Sequence, residues 1–136
     1  MNKILLGILL KTFATSLLTT LFGLTVLSIF QPNDDANLHF NATGIIYGIG
    51  VLYNLAMLVF STSIFLNNKD KIRVYPFFSM LTFLLIPFLS ALLIILLTFK
   101  GFDKNFLTLF VITIPYLKIM TFQFINFRMR ILQNLK

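Results

Sequence analysis

Glutamate, cysteine and tryptophan are all missing from this chain, histidine occurs once, and the only acidic residues are Asp34, Asp35, Asp70 and Asp103. Without cysteine there can be no disulfide, no thiolate nucleophile and no sulfur-ligated metal. An enzyme working inside a membrane needs a nucleophile with its base, a metal site or paired carboxylates. The long apolar runs of this chain hold no acidic residue at all, so catalysis is the class least expected. Proton-coupled transport meets the same objection, because it needs a titratable carboxylate or histidine at membrane depth. No cofactor and no metal site is expected. His39, together with Asp34 and Asp35, reads as a solvated loop rather than a cation site. Asn41-Ala42-Thr43 has the form of a glycosylation sequon but abuts an apolar run.

Charge of either sign is also scarce: charged residues make up 11% of the 136 positions, against 58% hydrophobic ones. The apolar residues fall into four runs, at about 10–30, 44–66, 77–99 and 106–127. Each approaches the ~20 residues that cross a ~30 Å hydrocarbon core at ~1.5 Å per residue. The first run is too long for a signal-peptide core and has no small-residue cleavage site after it, so it reads as a retained span. The connections between runs are short, which sets each helix antiparallel to the next. The expected fold is therefore all-α: an integral-membrane, up-down four-helix bundle forming one domain over residues 1–136. Residues 121–136, Phe-rich and basic, also suit a cytoplasmic continuation of the fourth span or an interfacial helix.

The basic residues are unevenly placed. "NNKDKIRVYP" (67–76) carries Lys69, Lys71 and Arg73, whereas "QPNDDANLHFNA" (31–42) carries two aspartates and no base. The positive-inside rule then puts 67–76 and both termini in the cytoplasm, with the acidic loop outside. The Phe-, Ile-, Asn- and Lys-rich composition points to an AT-rich bacterial genome, hence an inner membrane. The formal net charge of +7 is first a topology signal and second an attraction for anionic headgroups. No extramembrane segment is long enough to build a nucleic-acid surface.

Within the spans, "KTFATSLLTTLFG" supplies two rows of small or hydroxyl residues at four-residue spacing: Thr12, Ser16 and Thr20, and beside them Thr15, Thr19 and Gly23. Such a face serves close helix packing, or alternatively lines a polar track. In "TGIIYGIG" the glycines lack the strand, helix and acidic residue of a dinucleotide fingerprint, and no Walker lysine follows. What survives is Gly44-x-x-x-Gly48, a close-packing spacing, with Gly50, Asn54, Met57 and Ser61 running down an adjoining face. Asn54 needs a hydrogen-bond partner, either inside the bundle or at an interface.

Pro87 and Pro115 lie inside the third and fourth runs, where each is expected to kink its helix by freeing a carbonyl. Lys118 sits about twelve residues into the fourth run. It must snorkel, meet water, or pair with carbonyls freed by Pro115, with Asn54 or with Tyr116, unless that helix sits further out and carries Lys118 to the headgroups.

Small multidrug-resistance transporters share the four-span size but need an acidic residue in the first span, where this chain has Thr and Ser. Dual-topology fluoride channels need balanced loop charges, which this chain also lacks. By size and topology alone the chain resembles bacterial immunity proteins and membrane subunits of phage-defence systems. The leading expectation is a non-catalytic subunit acting through helix-helix contacts in the lipid bilayer, with copies of itself or with another membrane protein. The alternative is a homo-oligomeric channel or uncoupled transporter lined by the Thr/Ser face of the first span.

Overall fold

The computed structural model describes residues 1–30, 36–98 and 104–134, with side chains at all of these except 36–43, 97, 98, 104–106 and 134. The described residues are helical throughout, apart from isolated bends between helices, and contain no strand. Helix α1 covers Asn2–Phe30 and α2 covers Ala36–Phe60, which passes directly into a 3₁₀ segment, Ser61–Asn68. A short α3, Asp70–Val74, leads into α4, Pro76–Thr98, and α5 runs without interruption over Lys104–Asn134. Four stretches are long and apolar enough to cross a membrane: Asn2–Phe30, Gly44–Asn68, Pro76–Leu96 and Leu107–Gln133.

Cross-helix contacts fix the directions. Ser16 and Thr20 meet Asn54, Thr25 meets Tyr47 and Asn2 meets Asn68, so residue numbers rise along α1 as they fall along the second span. Gly23 lies against Val111, while Lys3 and Arg130 line one groove, so α1 and α5 are antiparallel too. α1 packs on α5 and α2, and α4 packs on α5 and on the 3₁₀ end of the second span. One end of the molecule gathers the start of α1, the 67–76 link and the last turns of α5, tied by Asn68 to Asn2 and by Arg128 donating to the Arg73 carbonyl at 2.7 Å.

Three features differ from a reading by hydropathy alone. The first helix begins at Asn2, a full two turns before the apolar run. The second span tightens after Phe60: in a 3₁₀ helix residues three apart eclipse, and Ser61, Ile64 and Asn67 accordingly form its buried stripe. Side chains reinforce that winding, Thr62 donating to the Val59 carbonyl at 2.8 Å and Asn67 to the Ile64 carbonyl at 3.2 Å. Finally, residues 121–134 continue α5 without a break and stay packed on the bundle, Phe124 and Phe127 meeting Phe83 of α4 with ring centroids 5.3 and 5.2 Å apart. Pro87 and Pro115 both lie within helices that continue on either side of them.

The interior mixes apolar side chains with many polar ones, and the outer surface is strongly apolar, unlike a water-soluble domain. Thr12, Ser16, Thr20, Asn54, Ser61, Asn67, Ser79 and Thr113 are buried, while Leu18, Phe22, Ile29 and Phe30 are outward-facing, Phe22 at 71% and Phe30 at 78% exposure. Apolar surface of that extent has no stable hydration. Polar side chains turned inward and apolar ones outward is the arrangement lipid requires.

Candidate functional site

The interior is organised around Asn54, which is completely buried. It lies one turn after Gly50, and its amide nitrogen donates to the Gly50 carbonyl at 2.9 Å and to Thr20 Oγ1 at 3.3 Å. Ser16 Oγ donates to Asn54 Oδ1 at 2.6 Å. Both amide hydrogens and the amide oxygen are thus engaged, and one side chain ties α2 to α1 at two points. Close approach makes this possible: a Cβ on Gly50 would come within 3.1 Å of Leu24 Cδ1 and 3.4 Å of Thr20 Cγ2. Glycine here lets the α2 backbone reach the hydroxyl row of α1.

A second polar cluster lies where α2 gives way to the 3₁₀ segment. The Tyr116 hydroxyl is within hydrogen-bond distance of the Met57 carbonyl oxygen (3.1 Å) and of Ser61 Oγ (2.8 Å), joining α5 to the second span. The change from i→i+4 to i→i+3 bonding alters the partners of the carbonyls at that point, and a side-chain donor satisfies one of them. Further along, Ser63 Oγ donates to the Thr82 carbonyl at 2.7 Å and Asn67 Nδ2 to Thr82 Oγ1, fastening α4. Ser90 adds a weak contact to the Met57 sulfur at 3.2 Å. Met57 and Ser61 are legible in the sequence as a continuation of the Asn54 face, but nothing in the sequence brings Tyr116, Asn67 and Thr82 to it.

The two hydroxyl rows of α1 separate. Thr12, Ser16 and Thr20 are buried, with Thr12 donating to the Ile8 carbonyl at 2.8 Å. Thr15 and Thr19 are exposed on the outer face, and each hydroxyl donates back to its own helix, to the Lys11 carbonyl at 2.6 Å and the Thr15 carbonyl at 2.7 Å. The five residues therefore do not line one track. Gly23, next along the outer row, lies against α5, where an added Cβ would come within 2.6 Å of Val111 Cγ1.

The glycines divide as well. Gly50 belongs to the packed face with Asn54, Met57 and Ser61, whereas Gly44 and Gly48 are exposed, with nothing within 4 Å of an added Cβ. Among the described residues no helix presses on the Gly44-x-x-x-Gly48 spacing. Lys118 is exposed on α5 and makes no hydrogen bond or ion pair among the described residues; Asn54 and Tyr116 are engaged elsewhere. Asp34, Asp35 and Asp103 lie outside the described residues, as does the side chain of His39. Among the described residues no group of His, Cys, Asp and Glu is placed to hold a metal ion.

No protein-family model, curated protein or solved structure matches the chain.

Proposed function

We propose that this chain is a non-catalytic, multi-pass protein of a bacterial inner membrane, with both termini in the cytoplasm, that acts by docking its helices against a second copy or another membrane protein. A membrane subunit of an immunity or phage-defence system is the biological setting of that kind. The observation carrying the reading is the exposed Gly44-x-x-x-Gly48 ridge, where an added Cβ would meet no described residue within 4 Å. A lipid-facing small-residue ridge lets a second helix approach closely enough for backbone-to-backbone packing. The internal polar groups support the same view, since Asn54, Ser16, Thr20 and Tyr116 are engaged with one another or with backbone and hold nothing out to a ligand.

A specific observation keeps the channel reading as the second choice. Thr15 and Thr19 form an exposed hydroxyl row, so a pore would have to assemble between copies around that face. Their hydroxyls already donate to their own helix, which makes the row a poor substitute for water.

The test is Gly48→Ile, at an exposed position where an added Cβ meets no described residue within 4 Å. In membranes, crosslinking should show the oligomer or complex weakened while the monomer stays folded; an unchanged crosslinking pattern would count against the ridge as the interface. Ion flux from reconstituted liposomes that falls when Thr15 or Thr19 is replaced by Leu would favour the channel instead.

A further inference from the structure

The end of the molecule that gathers the start of α1 and the last described turns of α5 carries a groove of about 670 Å3 between these helices. α1 contributes Lys3, Gly7 and Lys11, spaced four residues apart and hence along one ridge. α5 contributes Gln123, Asn126 and Arg130, at i, i+3 and i+7 on the facing side. Gly7 opens the middle of the ridge, since a Cβ there would meet nothing within 4 Å. The two lysines therefore flank a gap rather than a side chain.

The charge in this groove is unanswered. No acidic residue lines it, and none of its five polar side chains makes a hydrogen bond or ion pair among the described residues. The neighbouring arginines behave differently: Arg73 pairs with Asp70, and Arg128 donates to the Arg73 carbonyl. Apolar side chains complete the lining, with Ile4, Leu10 and Phe122 all substantially exposed. Three cations, two amides and a hydrocarbon lip are thus brought together between two helices.

That chemistry matches one class of ligand. A guanidinium and an ammonium binding together suit a phosphate, and amide donors suit its ester or hydroxyl oxygens. Eight residues separate Lys3 from Lys11, about 12 Å along the helix, so the groove runs from headgroup depth toward the upper acyl chains. A zwitterionic headgroup would bring its own amine against three cations, whereas an anionic one would not. We propose that the groove binds the phosphate-bearing headgroup of an anionic phospholipid, whose acyl chains leave along Ile4, Leu10 and Phe122. This rests on the chain's residence in a membrane, as proposed above.

The full chain is reconstituted into phosphatidylcholine vesicles containing spin-labelled phosphatidylglycerol, and the association constant is read from the motionally restricted fraction. Carbonate extraction of the same vesicles comes first: release of the protein would strike the membrane reading, separately from the groove. Lys11→Gln and Arg130→Gln should each weaken phosphatidylglycerol association about fivefold, the worth of one basic residue near an anionic surface. Gly7→Leu, which fills the gap at unchanged charge, should weaken it at least as much. Lys69→Gln combined with Lys71→Gln removes more charge from the same end of the molecule and should change association less than twofold. A wild-type result for Gly7→Leu, or an equal loss in the Lys69/Lys71 double variant, would overturn the groove in favour of diffuse surface charge. Soluble glycerol 3-phosphate should fail to displace the spin-labelled lipid; displacement at matched concentration would overturn the lipid assignment and make this a site for a free phosphate ester.

Discussion

Asn54 and Tyr53 are adjacent, both buried, and opposite in what their polar atoms do. The Asn54 amide holds Ser16, Thr20 and the Gly50 carbonyl, whereas the Tyr53 hydroxyl is buried without a partner among the described residues. Removing a satisfied group leaves its former partners exposed to an apolar interior, and removing an unsatisfied one relieves a desolvation cost. Asn54→Ala should therefore lower stability by about 1–2 kcal/mol, toward the upper end for hydrogen bonds between membrane helices. Tyr53→Phe should be neutral or slightly stabilising. Chemical unfolding in mixed micelles, followed by circular dichroism, reads both, and a Tyr53→Phe loss as large as that of Asn54→Ala would show that the hydroxyl has a role the interior does not reveal. The need of a buried amide for a partner was legible in the sequence. Its partners were not, because Thr12-Ser16-Thr20 and Thr15-Thr19-Gly23 are equally spaced rows of similar residues. Only the position of Asn54 on another helix decides which row turns inward.

Between helices the same logic applies to glycine, whose value depends on what stands opposite. Gly23 and Gly48 sit in apolar helices alike, yet a Cβ on Gly23 would come within 2.6 Å of Val111 Cγ1 and one on Gly48 would meet nothing. The Val111 methyl cannot swing far, because β-branched side chains are held to one rotamer in a helix. Gly23→Ala should thus cost about 1–3 kcal/mol, as overpacking does. Val111→Ala should restore most of that loss in the double variant, and Gly48→Ala should be tolerated on its own. Failure of the rescue in the same unfolding assay would mean that Gly23 is needed for something other than the α1-α5 contact. Spacing could identify these glycines as small-residue positions but could not pair them, since the partner residue is nearly ninety positions away. Distance in sequence also hid the contact that holds the end of α5 to the bundle, where Phe124 and Phe127 meet Phe83. Hydropathy likewise gave no warning of the 3₁₀ winding at Ser61–Asn68, which depends on which carbonyls the Ser, Thr and Asn side chains reach.

For the whole molecule, the cluster of termini and the 67–76 link at one end converts a charge-counting argument into a geometric one. Asn2 meets Asn68 and Arg128 meets the Arg73 backbone, so the basic segments must share one side of any membrane the bundle crosses. Charge then selects the side: Lys3, Lys69, Lys71, Arg73, Arg128 and Arg130 would all have to be translocated in the opposite orientation. Because the chain has no native cysteine, single-cysteine variants report position without a background signal. Asp35→Cys should react with a membrane-impermeant maleimide in intact cells, and Lys71→Cys only after permeabilisation. Labelling of Lys71→Cys in intact cells would reverse the orientation, and labelling of both to similar extents would mean dual insertion. Placing the basic end inside also presents the Lys3-Lys11-Arg130 groove to the cytoplasmic leaflet, whose anionic lipids are attracted to such clusters. The orientation and the groove thus stand on separate measurements but require the same side of the bilayer.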